Sequence, residues 1–156
     1  MTWKNHKLVT VTMSYTTGLP VEGIIMVAAA SIFPDAIEFI LRLRHRGVSH
    51  FWVIYTLAFL IAHFNLINLA PPAPLLLEWF ALGCMLHLLQ DAMSKSGIEL
   101  YPGSRKKIIL GQLYITKQNS EYAAALIMIL VCLGIKTLQV STGADVWKPG
   151  FVFINL

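Results

Sequence analysis

Residues 51–70 contain no Asp, Glu, Lys or Arg. A bilayer core about 30 Å thick is crossed by roughly 20 apolar helical residues, and few other folds are open to such a run. Two further segments share this character. Residues 75–93 hold Glu78 near one end and Asp91 near the other, and residues 122–140 hold only Lys136, near their end. Hydrophobic residues make up 56% of the chain and charged residues 13%, with a mean hydropathy of +0.66. An average soluble domain carries about 25% charged residues. These values exclude intrinsic disorder and argue against an ordinary soluble domain. The 156 residues are read as one integral membrane domain, 1–156. The predicted fold is an all-α, polytopic transmembrane helical bundle of about four spans.

The first forty residues are less regular. Residues 19–41 are long enough to span, yet they carry Glu22, Asp35 and Glu38, and Pro34 interrupts them. A proline inside a helix removes one hydrogen bond and bends the axis. Residues 4–17 are too short to span alone, and Thr17-Gly18-Leu19-Pro20 reads as a turn. The expectation is a short N-terminal helix folded as a hairpin against the first span. Val27-Ala28-Ala29-Ala30 mimics a signal-peptidase site, but the stretch continues as helix beyond it. The Pro-rich link 70–74 stops one helix and starts the next. The one long connection, 94–120, is of a length usually found in functional or disordered loops.

Basic residues set the orientation. The 42–50 loop holds three (Arg42, Arg44, Arg46) and the 94–120 loop five (Lys95, Arg105, Lys106, Lys107, Lys117). Spans at 51–70, 75–93 and 122–140 put both loops on one side, which the positive-inside rule makes cytoplasmic. The net charge of +4 is scattered, with no long basic face or nucleic-acid-binding motif. Nucleic acid is therefore not an expected partner, and membrane lipids are. Cys84 and Cys132 sit in apolar runs and read as small hydrophobes. Trp52, Trp79, Tyr101 and Tyr122, near span ends, read as interfacial anchors.

Intramembrane and juxtamembrane ionisable residues are costly, and so they mark candidate function. His87 and Asp91 are four apart and share a helix face. They form half of a site for Zn²⁺ or a similar ion, or else a His–Asp hydrogen bond closing the helix end. Asp35 and Glu38 share a face just after Pro34, which equally suits a helix start with carboxylates at the positive end of its dipole. His45 and His50 would diverge by roughly 140° on a continuous helix, but Gly47 favours a turn that brings the rings together. The alternative is a solvated basic loop at headgroup level. The 51–70 span leaves this side and its successor returns, so Asp35, Glu38, His45, His50 and Asp91 reach one membrane face without having been selected for it. His6 joins them only if the N-terminal hairpin runs antiparallel to 19–41. His63, mid-span, reads as an interhelical hydrogen-bonding residue.

At these residues the sequence resembles the YdjM-like family of membrane-bound metal-dependent hydrolases of the bacterial inner membrane. The resemblance is carried by His6, Pro34-Asp35-Ala36-Ile37-Glu38, His45-Arg46-Gly47-Val48-Ser49-His50, His87 to Asp91, and Gly97-Ile98-Glu99-Leu100-Tyr101-Pro102. Many members carry Pro-Asp-x-Asp, whereas the second acid here is Glu38, one residue later. The resemblance implies a multi-pass inner-membrane hydrolase of phospholipase-like or phosphatase-like type. His6, Asp35, His45, His50, His87 and Asp91 would bind metal. Glu38 would be a ligand or general base, and Arg46 a phosphate clamp. Zinc suits such donors, with manganese or iron as alternatives. The competing class is a non-enzymatic metal-binding or metal-transporting membrane protein, or a small partner subunit.

Overall fold

The computed structural model of the protein describes residues 1–143. The C-terminal tail, read from the sequence as 141–156, lies outside the described residues from position 144 onward.

The helices follow the apolar pattern, and polar breakers set their ends. Helix α1 (Trp3–Thr16) stops at the Thr17-Gly18 turn, where Gly18 adopts φ 79°. The chain then doubles back into α2 (Val21–Ala30), which packs along α1, so the expected N-terminal hairpin is present. Residues 19–41 do not form one unbroken helix. The chain breaks at Ser31-Ile32 and restarts as α3 (Phe33–Leu41), with Pro34 in the first turn. A first-turn proline forfeits no helical hydrogen bond, because that N–H has no partner anyway. Taken together, Val21–Leu41 is long and apolar enough to cross a membrane.

Arg42, in the left-handed region at φ 52°, ends α3, and the basic loop follows. This loop contains a single 3₁₀ turn, Val48–His50, before α4 (Trp52–His63). Helix α4 is shorter than the run 51–70 suggests. Asn65 and Asn68 take positive φ and turn the chain before the prolines, because Asn side chains compete for the backbone in such turns. Helix α5 (Ala73–Ala92) and α6 (Asn119–Thr142) are each long and apolar enough to span. Among the described residues, three segments therefore have spanning length, and α4 is a fourth, shorter apolar helix.

Helix α5 is the centre of the bundle, packed by α2 and α4, with α1 also touching it. Helix α6 lies against α1 and exposes most of its apolar side chains, as a lipid-facing helix does. The α2–α5 crossing is close. A Cβ on Gly83 would stand 2.4 Å from the Val27 carbonyl oxygen and 2.7 Å from the Ala30 Cβ, so only glycine fits. His63 Nδ1 and Glu78 Oε1, 3.0 Å apart, join α4 to α5 at the end opposite the basic loops. This is the interhelical role expected of His63.

The connection 94–118 is folded. A two-residue hairpin pairs β1 (Ile98–Glu99) with β2 (Lys107–Ile108). Leu110 N donates to Ala92 O and Leu113 N to Met93 O, which fastens the segment to the end of α5.

Candidate metal centre

Three elements bring ionisable side chains to one end of the bundle. The first turns of α3 present Asp35 and Glu38 on one face, and Pro34 in the first turn agrees with the helix-start reading. The 3₁₀ turn presents His50, and the last turns of α5 present His87 and Asp91. Gly47 permits the tight turn between the two histidines of the basic loop: a Cβ there would lie 2.9 Å from Arg44 O. The turn brings the His45 and His50 rings to 5.9 Å between centroids. Tyr55 of α4 donates its hydroxyl hydrogen to Ser49 O, which pins the turn to the bundle.

The donor atoms converge. His50 Nε2 lies 3.1 Å from His87 Nε2 and 3.5 Å from both Asp35 Oδ1 and Asp91 Oδ2. His87 Nε2 lies 3.7 Å from each of the same two oxygens. An ion with four ligands at about 2.0–2.1 Å in a tetrahedron sets ligand atoms about 3.3 Å apart. The observed spacings cluster around that edge. Two ring nitrogens facing each other this closely, between two carboxylates, are joined either by a ring N–H hydrogen bond or by a metal ion. Asp35 Oδ1 is buried and has no hydrogen-bond partner. Asp35, His50, His87 and Asp91 thus form a group able to hold a metal ion, and the donor chemistry fits the one the sequence implied.

The surrounding contacts orient these donors. Glu38 Oε1 accepts from His50 Nδ1 at 2.8 Å and from the Ser49 hydroxyl. A carboxylate oxygen can only accept, so Nδ1 of His50 carries the proton and Nε2 faces the centre. A carboxylate behind a ligating histidine is the usual support of metal sites. Glu38 Oε2 is 2.8 Å from His45 Nδ1, and His45 Nδ1 is 3.9 Å from Asp35 Oδ1. Trp3 donates its indole N–H to Asp35 Oδ2. Burial alone would lower the pKa of His50, but hydrogen bonds to Asp91 and Glu38, with their charges, outweigh it and raise it to about 9.

His6 stands on the far side of Asp91, so the N-terminal helix runs in the direction its participation required. Its Nε2 lies 3.4 Å from Asp91 Oδ1 without a hydrogen-bond partner, and its ring stacks on His87 with centroids 4.0 Å apart. The Met1 ammonium is 2.8 Å from the same Asp91 oxygen. Arg46, largely enclosed by the hairpin segment, pairs Nη2 with Asp91 Oδ2 at 3.0 Å and donates from Nη1 to Gly97 O and Ser94 Oγ. Arg44 pairs with Glu99 of β1. Above these groups opens a cleft of about 720 Å³, bordered by Asp35, His45, Arg44, Arg46, Arg105 and Lys107.

Three supporting residues were not singled out from the sequence. Gln90 accepts from His6 Nδ1 and donates to Thr10 Oγ1. Its signal was available, as an amide in a span beside Asp91. Ser49 lies inside the His45–His50 element. Glu121, wholly buried at the start of α6, accepts from Thr2 N, Thr2 Oγ1, Asn5 Nδ2 and Lys117 N. Nothing local marks Glu121, whose partners lie at the other end of the chain.

A family model described as YdjM inner membrane protein matches residues 1–152. The chain belongs to the YdjM family. The match covers every residue of the centre, and the membrane-spanning helices agree with an inner-membrane protein of this family. No curated protein and no solved structure matches this YdjM member.

Proposed function

We propose that this YdjM member is a metal-dependent hydrolase cleaving a phosphoester or ester of a lipid or lipid-linked substrate at the cytoplasmic membrane face. The observation that carries the reading is the convergence of Asp35, His50, His87 and Asp91, with Asp35 and Asp91 reaching a polar cleft rimmed by Arg44, Arg105 and Lys107. Divalent metal bound in this His/Asp cluster, zinc by the donor chemistry, would lower the pKa of water and polarise the scissile bond. Glu38 keeps His50 Nε2 directed inward. Arg46 steadies Asp91 and borders the cleft, where its guanidinium charge favours a phosphoryl group. Arg105 and Lys107 favour an anionic headgroup, each basic residue contributing about 1 kcal/mol near a membrane surface. Rim and cluster lie at the end of the bundle where the apolar helices emerge, which suits a substrate anchored in lipid.

One observation favours metal transport instead. His6, Thr10 and Ser14 form a buried polar line along α1, and Ser14 Oγ has no partner.

The test uses protein purified in detergent without a histidine tag. Elemental analysis of wild type is expected to give stoichiometric zinc or manganese, lost in His50→Ala and Asp91→Ala variants that still fold. The metal-loaded wild type is then expected to hydrolyse an aryl phosphate or a phospholipid in mixed micelles. Absence of bound metal after soaking in each ion refutes the reading. Metal uptake into proteoliposomes without hydrolysis replaces it by transport.

A further inference from the structure

The ionisable residues fall into two donor groups that share only Asp35. One is Asp35, His50, His87 and Asp91; the other is Asp35, Glu38 and His45. We propose that the centre holds two ions with different duties: a buried ion in the first group, and a second, cleft-facing ion in the second group, where water and substrate meet. The inference rests on the hydrolase reading and deepens it.

Coordination number separates the duties. Four protein donors fill a tetrahedral ion, as in structural sites, whereas catalytic ions keep a position open. The first group supplies four donors and is the more enclosed: the side chains of His50 and His87 are 0% exposed, that of Asp91 1% and that of Asp35 13%, and only its two carboxylates border the cleft. The second group supplies three donors and is open. The His45 side chain is 69% exposed, and Asp35 and His45 both border the cleft.

Distances make Asp35 the bridge. Its Oδ1, which lacks a hydrogen-bond partner, is 3.5 Å from His50 Nε2, 3.7 Å from His87 Nε2 and 3.9 Å from His45 Nδ1. Two ions sharing one oxygen at about 2.1 Å stand no more than about 4.2 Å apart, and paired ions of hydrolytic sites are about 3.5–4 Å apart. Glu38 divides in the same way. Oε1 supports His50 behind the buried ion, and Oε2 faces His45 Nδ1 at 2.8 Å. The proton now between Oε2 and Nδ1 is the one the second ion displaces. Glu38 is thereby assigned as a ligand and not as the base.

The experiment is metal stoichiometry on the full chain, free of a histidine tag and loaded with Mn²⁺ or Zn²⁺. Wild type is expected to hold about two ions per chain. His45→Ala is expected to hold about one and to lose aryl phosphate hydrolysis at least a hundredfold, while its far-UV circular dichroism without metal matches wild type because the side chain is exposed. In the Mn²⁺ form, electron paramagnetic resonance is expected to show an exchange-coupled pair in wild type and an isolated ion in His45→Ala. One ion in both proteins overturns the two-ion proposal, and two coupled ions retained in His45→Ala overturn the placement of the second ion at Asp35, Glu38 and His45; either leaves the hydrolase reading standing. No ion in either overturns both.

Discussion

Substituting Gly83→Ala tests whether the α2–α5 crossing sets the geometry of the centre. The added Cβ would lie 2.4 Å from Val27 O, where ordinary contact begins near 3.4 Å. The obstacle is backbone and cannot rotate aside, so the helices must separate locally by about 1.0 Å. Overpacking of this kind costs about 1–3 kcal/mol. At about 2–4 °C per kcal/mol for a chain of this size, the melting temperature falls by roughly 2–12 °C. The displacement also reaches the site. His87 lies one turn beyond Gly83 on the same face of α5, and Ala30 stands just before the α3 start that carries Asp35. Adding about 1 Å to the 3.7 Å between His87 Nε2 and Asp35 Oδ1 takes the pair well beyond the roughly 3.3 Å ligand spacing of a tetrahedral ion. Metal retention is therefore expected to weaken at least tenfold. The assays are thermal denaturation in detergent and metal content after dialysis against a weak chelator. Gly134→Ala is the control: it makes the same substitution inside α6, where nothing lies within 4 Å. It is expected to leave melting unchanged or raise it slightly, because alanine is the better helix former. Gly83→Ala protein that melts with wild type and keeps its metal refutes the reasoning.

Three further outcomes are expected. Glu121→Ala leaves the Thr2 and Asn5 donors unpaired, at about 1–3 kcal/mol for each buried group; hydrogen exchange at residues 2–6 is expected to quicken, and unchanged protection there would refute the clamp. His63→Ala removes the His63–Glu78 contact at the opposite end of the bundle, so metal content is expected to stay at the wild-type value, and its loss would show the two ends to be coupled. In metal-free protein, the His50 pKa of about 9 lies above its ordinary 6.5. Its stabilising contribution is then complete below 6.5 and lost as pH rises through about 9. Melting temperatures across that range are expected to fall more steeply in wild type than in His50→Gln, and parallel curves would remove His50 as the cause.

Sequence and structure divide at identifiable places. The apolar runs announced α5 and α6 because helix in lipid must satisfy its own backbone, and length against bilayer thickness is legible in one dimension. Pro34, Gly47 and the Gly18 turn were legible for the same local reason, since each restricts its own φ and ψ. The spacing of His87 and Asp91 put them on one face before any fold was known. The end of α4 at His63 was less legible, because Asn65 and Asn68 act through turns that an apolar count does not register.

What the sequence determined by itself is a membrane bundle with one end rich in His, Asp and basic residues, since hydropathy and charge act through composition and order along the chain. Which donors meet is set by packing in three dimensions. Asp35 and His87 are far apart in sequence, and their meeting depends on the Gly83 crossing. Glu38 serves both His45 and His50 because a turn folds back on α3. Glu121 is buried under α1 because the first and last described helices pack together. Such contacts depend on how rigid elements pack in three dimensions, and pairwise spacing along the chain carries no term for that.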